Sequence, residues 1–250
     1  MDPVAKIAEL AKYYGIGCHV DCSSASFITN FSDELNIGKF EAHFETPGIT
    51  SIGVSTSRYG LGPFGSSCLL YRTRQLRRYQ YYTKCEWNGG TYATPTLSGS
   101  RYGSAIVGTW CKIMSTGKNG YMDNANQIVL KTKALHKSLT DIGELKVITQ
   151  NPICVVAFLL QDGDTYGLAD YIRNEGVDVV NLINPPAISF TVTLANLDMA
   201  KKIPQLVRLY IEDYVKEPKL LDHGIKEYYK DINTMRQYSQ LIHEVPDKLE

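Results

Sequence analysis

Gly15-Ile16-Gly17-Cys18-His19-Val20-Asp21-Cys22 is a short run of strand character placed directly after a helix-patterned stretch, and its reading decides the fold class. Alternation along an extended chain puts His19 and Asp21 on one face and Cys18, Val20 and Cys22 on the other. Upstream, Val4, Ile7, Ala8, Leu10 and Ala11 recur at helical spacing. Asp2-Pro3 supplies an N-cap followed by proline at the first helical position, and Gly15 stops the helix. Downstream, Thr50 to Ser55 and Ser66 to Tyr71 read as further strands. A helix followed by such strands is the grammar of an α/β sheet.

Working outward, residues 72–101 are polar and glycine-rich, with little periodicity beyond one short basic segment. From Ser104 to about Thr140 the pattern is helical and predicts two helices broken near Gly117–Gly120. The remainder reads as an α+β unit. Leu145 to Ile148 and Val155 to Leu160 are strands, and Tyr166 to Asn174 is a helix closed by Gly176. Val177 to Leu182 and Ile188 to Leu194 are strands around Pro185-Pro186. Asp198 caps a helix running to about Val215, and a last helix spans roughly residues 223–243. Domain boundaries are therefore expected at 1–104, 105–143 and 144–250, the middle part being a helical connector.

Lys+Arg and Asp+Glu each number 26, so the chain lacks the basic excess by which a nucleic-acid binder neutralises phosphates. Cys18, Cys22, Cys68, Cys85, Cys111 and Cys154 are scattered without a paired motif and read as reduced thiols, mostly core fillers. The longest apolar stretches fall far short of a bilayer span, and the expectation is a soluble, cytoplasmic protein. Gly60-Leu61-Gly62-Pro63-Phe64-Gly65 matches a dinucleotide fingerprint, but Ser66 to Tyr71 continues as a strand where that site needs a helix. Cys18, His19, Asp21 and Cys22 do not suit a shared metal, because the sulfurs and the His/Asp pair face opposite ways. Arg72, Arg74, Arg77 and Arg78 read as a solvated basic face, with a phosphorylated headgroup or a partner chain as the alternative contact.

Four stretches carry a resemblance. Asp2-Pro3 with Gly15 to Asp21, ending in His-Val-Asp, is the first. Ser55-Thr56-Ser57-Arg58-Tyr59-Gly60 followed by Gly65-Ser66-Ser67 is the second. Leu76 to Tyr81, Trp87 to Tyr92 and Thr94 to Arg101 make the third, and Asn184-Pro185-Pro186-Ala187-Ile188-Ser189-Phe190 the fourth. Together they resemble the C-terminal part of the sphingosine-phosphate lyase family, pyridoxal-phosphate (PLP) dependent fold-type I enzymes of the group II decarboxylase kind. The resemblance implies an α/β fold: part of a PLP-binding large domain with a partial, mainly parallel sheet over 1–104, then the connector, then a C-terminal α+β small domain. It implies PLP as cofactor, with Asp21 pairing the pyridine nitrogen and His19 beside it. It also implies a dimer, or a complex with a lyase chain, in which Gly89, Gly90, Tyr92 and Thr94 form a loop entering the partner's site. Tyr59 and Tyr92 are candidate acid/base or phosphate-contacting phenols. The reaction implied is retro-aldol cleavage of a phosphorylated long-chain base to a fatty aldehyde and phosphoethanolamine, and a peripheral place at the endoplasmic reticulum is consistent with it. Read without the resemblance, Asp21 is a strand-end carboxylate capping the next turn, and the Gly89–Thr94 loop is a surface turn.

Two departures shape the expectation. Arg58 stands where the family has its Schiff-base lysine, Ser57 where it has histidine and Ser55 where it has aspartate. An imine needs an amine that can lose its proton, and a guanidinium stays charged. No lysine occurs between Lys39 and Lys84. The family's phosphate loop, moreover, lies upstream of the Asp2-Pro3 helix, so the expectation is a sheet short of several strands with an open edge. The leading reading is a catalytically degenerate lyase-like protein, without covalent PLP, that is either a non-catalytic partner of an active lyase or a vestigial product. A split lyase using Lys84 or a partner's lysine, and non-covalent binding of PLP or a phospho-ligand by Asp21 and Arg58, remain the alternatives.

Overall fold

The first helix, α1 (Val4–Tyr13), starts one residue later than the sequence suggests. Pro3 is its N-cap and no side chain caps it, so Asp2 does not play that part. The helix ends as expected, with Gly15 at φ 65° and the Ile16 N–H donating to the Ala11 carbonyl. Ala8 and Ala11 are buried, whereas Ile7 and Leu10 of the same apolar set are about half exposed. The chain is known from a computed structural model that describes residues 2–96 and 99–216. It divides into two compact units, residues 1–126 and 127–250.

In the first unit, β1 (His19–Asp21) pairs in parallel with β2 (Ser51–Ser55), and β2 pairs antiparallel with β3 (Ser67–Tyr71). The partial sheet thus mixes one parallel with one antiparallel pair. Cys18, Cys22 and Ile52 pack with Ala8, Ala11, Ala42 and Ile49 into one apolar cluster, supported by Val20 and Val54. The opposite face of β1 carries the exposed His19 and Asp21, as alternation demands. Gly48 holds α1 close to the sheet. Its φ is 94°, and a Cβ there would lie 2.0 Å from the Ala8 carbonyl oxygen, which only glycine avoids.

Two short helices, α2 (Ser26–Thr29) and α3 (Ser32–Leu35), follow β1. Residues 72–101, expected to carry little structure, instead contain α4 (Arg74–Arg78) and an antiparallel pair, β4 (Tyr82–Lys84) with β5 (Tyr92–Thr94). Thr73 caps α4, its hydroxyl accepting from the Leu76 N–H. The segment Gly60 to Gly65 leads into β3 and opens no helix. The long helical stretch α5 (Gly103–Thr140) breaks at Gly117, where φ is 65° and ψ is 174°.

The second unit holds a four-stranded antiparallel sheet in the order β6 (Leu145–Val147), β7 (Val155–Leu160), β9 (Pro186–Thr191), β8 (Val180–Ile183). Val156, Phe158, Ile188 and Phe190 from its inner face are fully buried with Leu168 and Ile172 of α6 (Thr165–Asn174) and Ile203 and Val207 of α7 (Met199–Lys216). Each such side chain contributes about 1.5–3 kcal/mol on burial. Asp164 caps α6, its Oδ1 accepting from the N–H groups of Tyr166 and Gly167. The expected cap at Asp198 is not made in that way: its carboxylate is paired with Lys201 at 2.8 Å. The helix expected at 223–243 lies outside the described residues. Among the described residues no helix is long and apolar enough to cross a membrane. Three of the six cysteines, Cys68, Cys85 and Cys111, are exposed rather than core-filling.

Candidate functional site

Register places His19 beside Ser51 and Asp21 beside Gly53 on the exposed face of the β1–β2 pair. The His19 Nδ1 and the Ser51 hydroxyl are 2.8 Å apart, a hydrogen bond that fixes the imidazole over β2. Gly53 makes room for it: a Cβ at that position would come within 3.3 Å of His19 Nε2. Asp21 Oδ1 accepts from the Ser23 N–H at 2.8 Å and from the Ser23 hydroxyl. The Ser23 hydroxyl, then the Ser23 N–H, holds the Asp21 carboxyl below its ordinary value, so it is ionised at neutral pH. Asp21 therefore does cap the turn after β1. That turn uses Oδ1 alone, and no hydrogen bond to Oδ2 exists among the described residues.

The loop after β2 begins at the same end of the sheet, since β1 and β2 run in parallel. The C-terminal ends of parallel strands are where open α/β sheets bind ligands. Here Ser55 and Ser57 hold each other, with their hydroxyls 3.3 Å apart, and Arg58 projects into solvent. Among the described residues Arg58 has no ion-pair partner. Tyr59, the neighbouring candidate phenol, is only 9% exposed. The loop is anchored on both sides of Arg58. The Thr56 hydroxyl donates to the Ser66 carbonyl at 2.9 Å, and the Tyr121 hydroxyl donates to the Gly60 carbonyl at 2.7 Å.

Gly89, Gly90, Tyr92 and Thr94 lie in the β4–β5 hairpin, a sheet separate from β1–β2–β3. Gly90 has φ 102° and its N–H donates to the Trp87 carbonyl, closing the turn. Tyr92 sits 6.4 Å from both the Tyr82 and the Trp87 ring centres and stays 45% exposed. Lys84 pairs with Glu86 on the same hairpin. The structure thus gathers His19, Asp21 and the Arg58 loop at one end of the first sheet and carries the Tyr92 group on another element. Sequence reasoning missed Ser23, Ser51 and Gly53. Asp-x-Ser after a strand signals a side-chain-closed turn, and an isolated glycine inside a strand signals a close approach. Tyr121 left no such signal. Among the described residues no cluster of His, Cys, Asp or Glu is placed to hold a metal ion.

No protein-family model matches the chain. In sequence it is 33% identical over 248 residues to the sphingosine-1-phosphate lyase of Dictyostelium discoideum, covering 99% of this chain and 45% of that protein. It is 32% identical over 229 residues to the corresponding lyase of Arabidopsis thaliana, covering 92% of this chain and 42% of that protein. The chain is sphingosine-1-phosphate lyase-like. A solved Burkholderia pseudomallei sphingosine-1-phosphate lyase superposes with a TM-score of 0.81 at 27% identity, over 98% of this chain and 53% of that one. The lyase-like chain thus spans less than half the length of the curated relatives it matches. A Lactobacillus brevis glutamate decarboxylase shares the fold, with a TM-score of 0.69 at 21% identity. The fold is that of part of a PLP fold-type I enzyme.

Proposed function

We propose that the chain is a degenerate lyase-like protein, one that retains the ring-pairing carboxylate of its relatives and has lost the covalent anchor. The observation that carries this reading is the loop after β2: Arg58 stands where the resemblance puts the lysine, flanked by Ser57, with Ser55 completing the altered set. The guanidinium cannot become the neutral amine that an imine requires. Lys84, the replacement a split lyase would call on, lies on the β4–β5 hairpin, in a sheet separate from β1–β2–β3, in a solvent-exposed pair with Glu86 at 3.4 Å.

The residues fit PLP in part. Asp21, ionised and with Oδ2 open, suits a protonated ring nitrogen, and His19 over Gly53 offers a flat wall beside it. Covalent attachment does not fit, and no reaction step runs through the cofactor in this chain. The function that follows is non-covalent binding of PLP or of a phosphorylated ligand, with Arg58 as the anion contact, in a homodimer or beside an active lyase chain. Trp87, Tyr92, Tyr102 and Trp110 are exposed aromatic rings, a residue type that interfaces favour, and are available to such an association. Cleavage of a phosphorylated long-chain base would belong to that partner. The test is equilibrium binding of PLP followed by dialysis, with Asp21→Asn and Arg58→Ala beside the parent. Reversible binding weakened by both substitutions supports the reading. Binding unaffected by either defeats it, as does aldehyde release from a phosphorylated sphingoid base by the isolated chain.

A further inference from the structure

Tyr121, on α5 past the break at Gly117, touches both halves of the candidate site in the first unit. Its hydroxyl donates to the Gly60 carbonyl at 2.7 Å, just beyond Arg58 and Tyr59 in the loop after β2. Its ring packs 5.0 Å from that of Phe27 on α2, the helix that follows the Asp21–Ser23 turn. Phe27 in turn abuts Gly60, where a Cβ would lie 2.6 Å from the ring. The far end of the Arg58 loop is held from the other side of the break. There the Thr109 and Ser66 hydroxyls are 3.0 Å apart, and the Ser66 hydroxyl donates to the Pro63 carbonyl at 2.7 Å. Burial pushes the Tyr121 phenol pKa up, so at neutral pH it stays protonated and a donor. One buried phenol thus joins the carboxylate side of the site to the guanidinium side, and a shift of either breaks a contact with it.

From this geometry we infer that Tyr121 is a positioning residue: it fixes the separation of Asp21 and Arg58, so that one ligand carrying both a protonated ring nitrogen and a phosphate reaches both. The inference rests on the proposed reading of Asp21 and Arg58 and adds what makes the two act together. A ligand held at two points gains from the second only as far as the protein keeps the points at the right distance, which raises the effective concentration of the second contact. Arg58 depends on that hold, because among the described residues it has no ion-pair partner to orient it. A ligand with the ring alone makes one contact and is indifferent to the spacing. Tyr121 acts through Gly60 and Phe27 and needs no contact with the ligand.

Fluorescence titration of the full chain with pyridoxine 5′-phosphate and with pyridoxine tests it, since neither has an aldehyde to form imines with surface lysines. The parent should bind the phosphate ester more tightly. Tyr121→Phe, which keeps the ring and removes the donor, should weaken the ester by about fivefold, the worth of one hydrogen bond, and leave pyridoxine unchanged. In an Arg58→Ala background the same substitution should change neither affinity, because the contact it positions is gone. Tyr166→Phe removes a comparable phenol-to-carbonyl bond, to Leu182 at 2.6 Å in the second unit. It should lower Tm and leave both affinities at the parent's values. Thr109→Val, which frees the Ser66 end of the loop, should show the same selective loss in smaller degree, and its result decides if Tyr121→Phe does not fold. A parent without preference for the ester defeats the reading of Arg58, and this inference with it. A parent with that preference, but a Tyr121→Phe protein that weakens both ligands alike, weakens neither, or weakens the ester equally when Arg58 is alanine, overturns the positioning role alone.

Discussion

Gly60→Ala is the sharpest structural probe of the loop that carries Arg58. Gly60 does not have a positive φ, so alanine meets no backbone penalty and the substitution reports packing alone. The new methyl would lie 2.4 Å from the Thr56 carbonyl oxygen and 2.6 and 2.9 Å from two Phe27 ring carbons. Overpacking of this kind costs about 1–3 kcal/mol. Loss of glycine freedom in the unfolded chain returns about 0.4–1 kcal/mol. A 2.4 Å approach to a backbone oxygen belongs at the upper end of that range, about 3 kcal/mol, so the net cost is about 2–2.6 kcal/mol, a fall of roughly 4–10 °C in Tm for a chain of this size. Differential scanning fluorimetry measures it, and the rate of tryptic cleavage after Arg58 should rise as the loop is pushed off its Tyr121 anchor. Two comparisons isolate the cause. Gly65→Ala meets open space but a φ of 81°, so it should cost only about 1–2 kcal/mol of left-handed backbone strain and leave cleavage at Arg58 unchanged. Gly103→Ala meets neither and should leave Tm unchanged or slightly raised. A Gly60→Ala protein as stable as Gly103→Ala, with unchanged cleavage at Arg58, would refute the reasoning.

Asp21 should titrate below the ordinary carboxylate value by NMR, and Ser23→Ala should move its midpoint back up. Because its folded-state pKa is depressed, its contribution to stability is present above the ordinary carboxylate range and is lost as pH falls through the lowered value. Under native conditions a maleimide should modify Cys68, Cys85 and Cys111 rapidly and Cys18, Cys22 and Cys154 only after denaturation, as intact mass spectrometry will read. Cys22 should be the slower for a second reason, since burial, and after it the Asp21 charge, pushes its thiol pKa up. Arg58→Lys should acquire borohydride-fixable PLP at position 58 yet release no aldehyde, because Ser55 and Ser57 remain in place of the family's acidic and imidazole groups. Label confined to other lysines would show that the β2 loop is not the anchor position.

Much of the first sheet was legible because one face of it is buried. Alternation separates Cys18, Val20 and Cys22 from His19 and Asp21 only where a core exists to sort them, and α1 supplies that core. The β4–β5 hairpin escaped detection for the opposite reason. Its strands are three residues long and mostly exposed on both faces, so no period marks them. Cys68 shows where the core stops. It faces the same side as Val54, its partner in the ladder, but β3 is an edge strand outside the α1 cluster and the thiol stays exposed. Asp2 and Asp198 carried cap signals that the chain did not use, the first because the helix begins after Pro3 and the second because Lys201 takes the carboxylate. At the site, Asp21 and Arg58 were visible as residue types. Their setting depends on Ser23, Ser51, Gly53 and Tyr121, contacts set by turn geometry and strand register that composition does not announce.

Borohydride reduction of the parent chain saturated with PLP, followed by peptide mapping, tests the loss of the covalent anchor most directly. The account predicts reversible occupancy before reduction and no cofactor fixed within residues 49–71 after it. PLP recovered covalently on that peptide, or on Lys84 in proportion to occupancy, would contradict it.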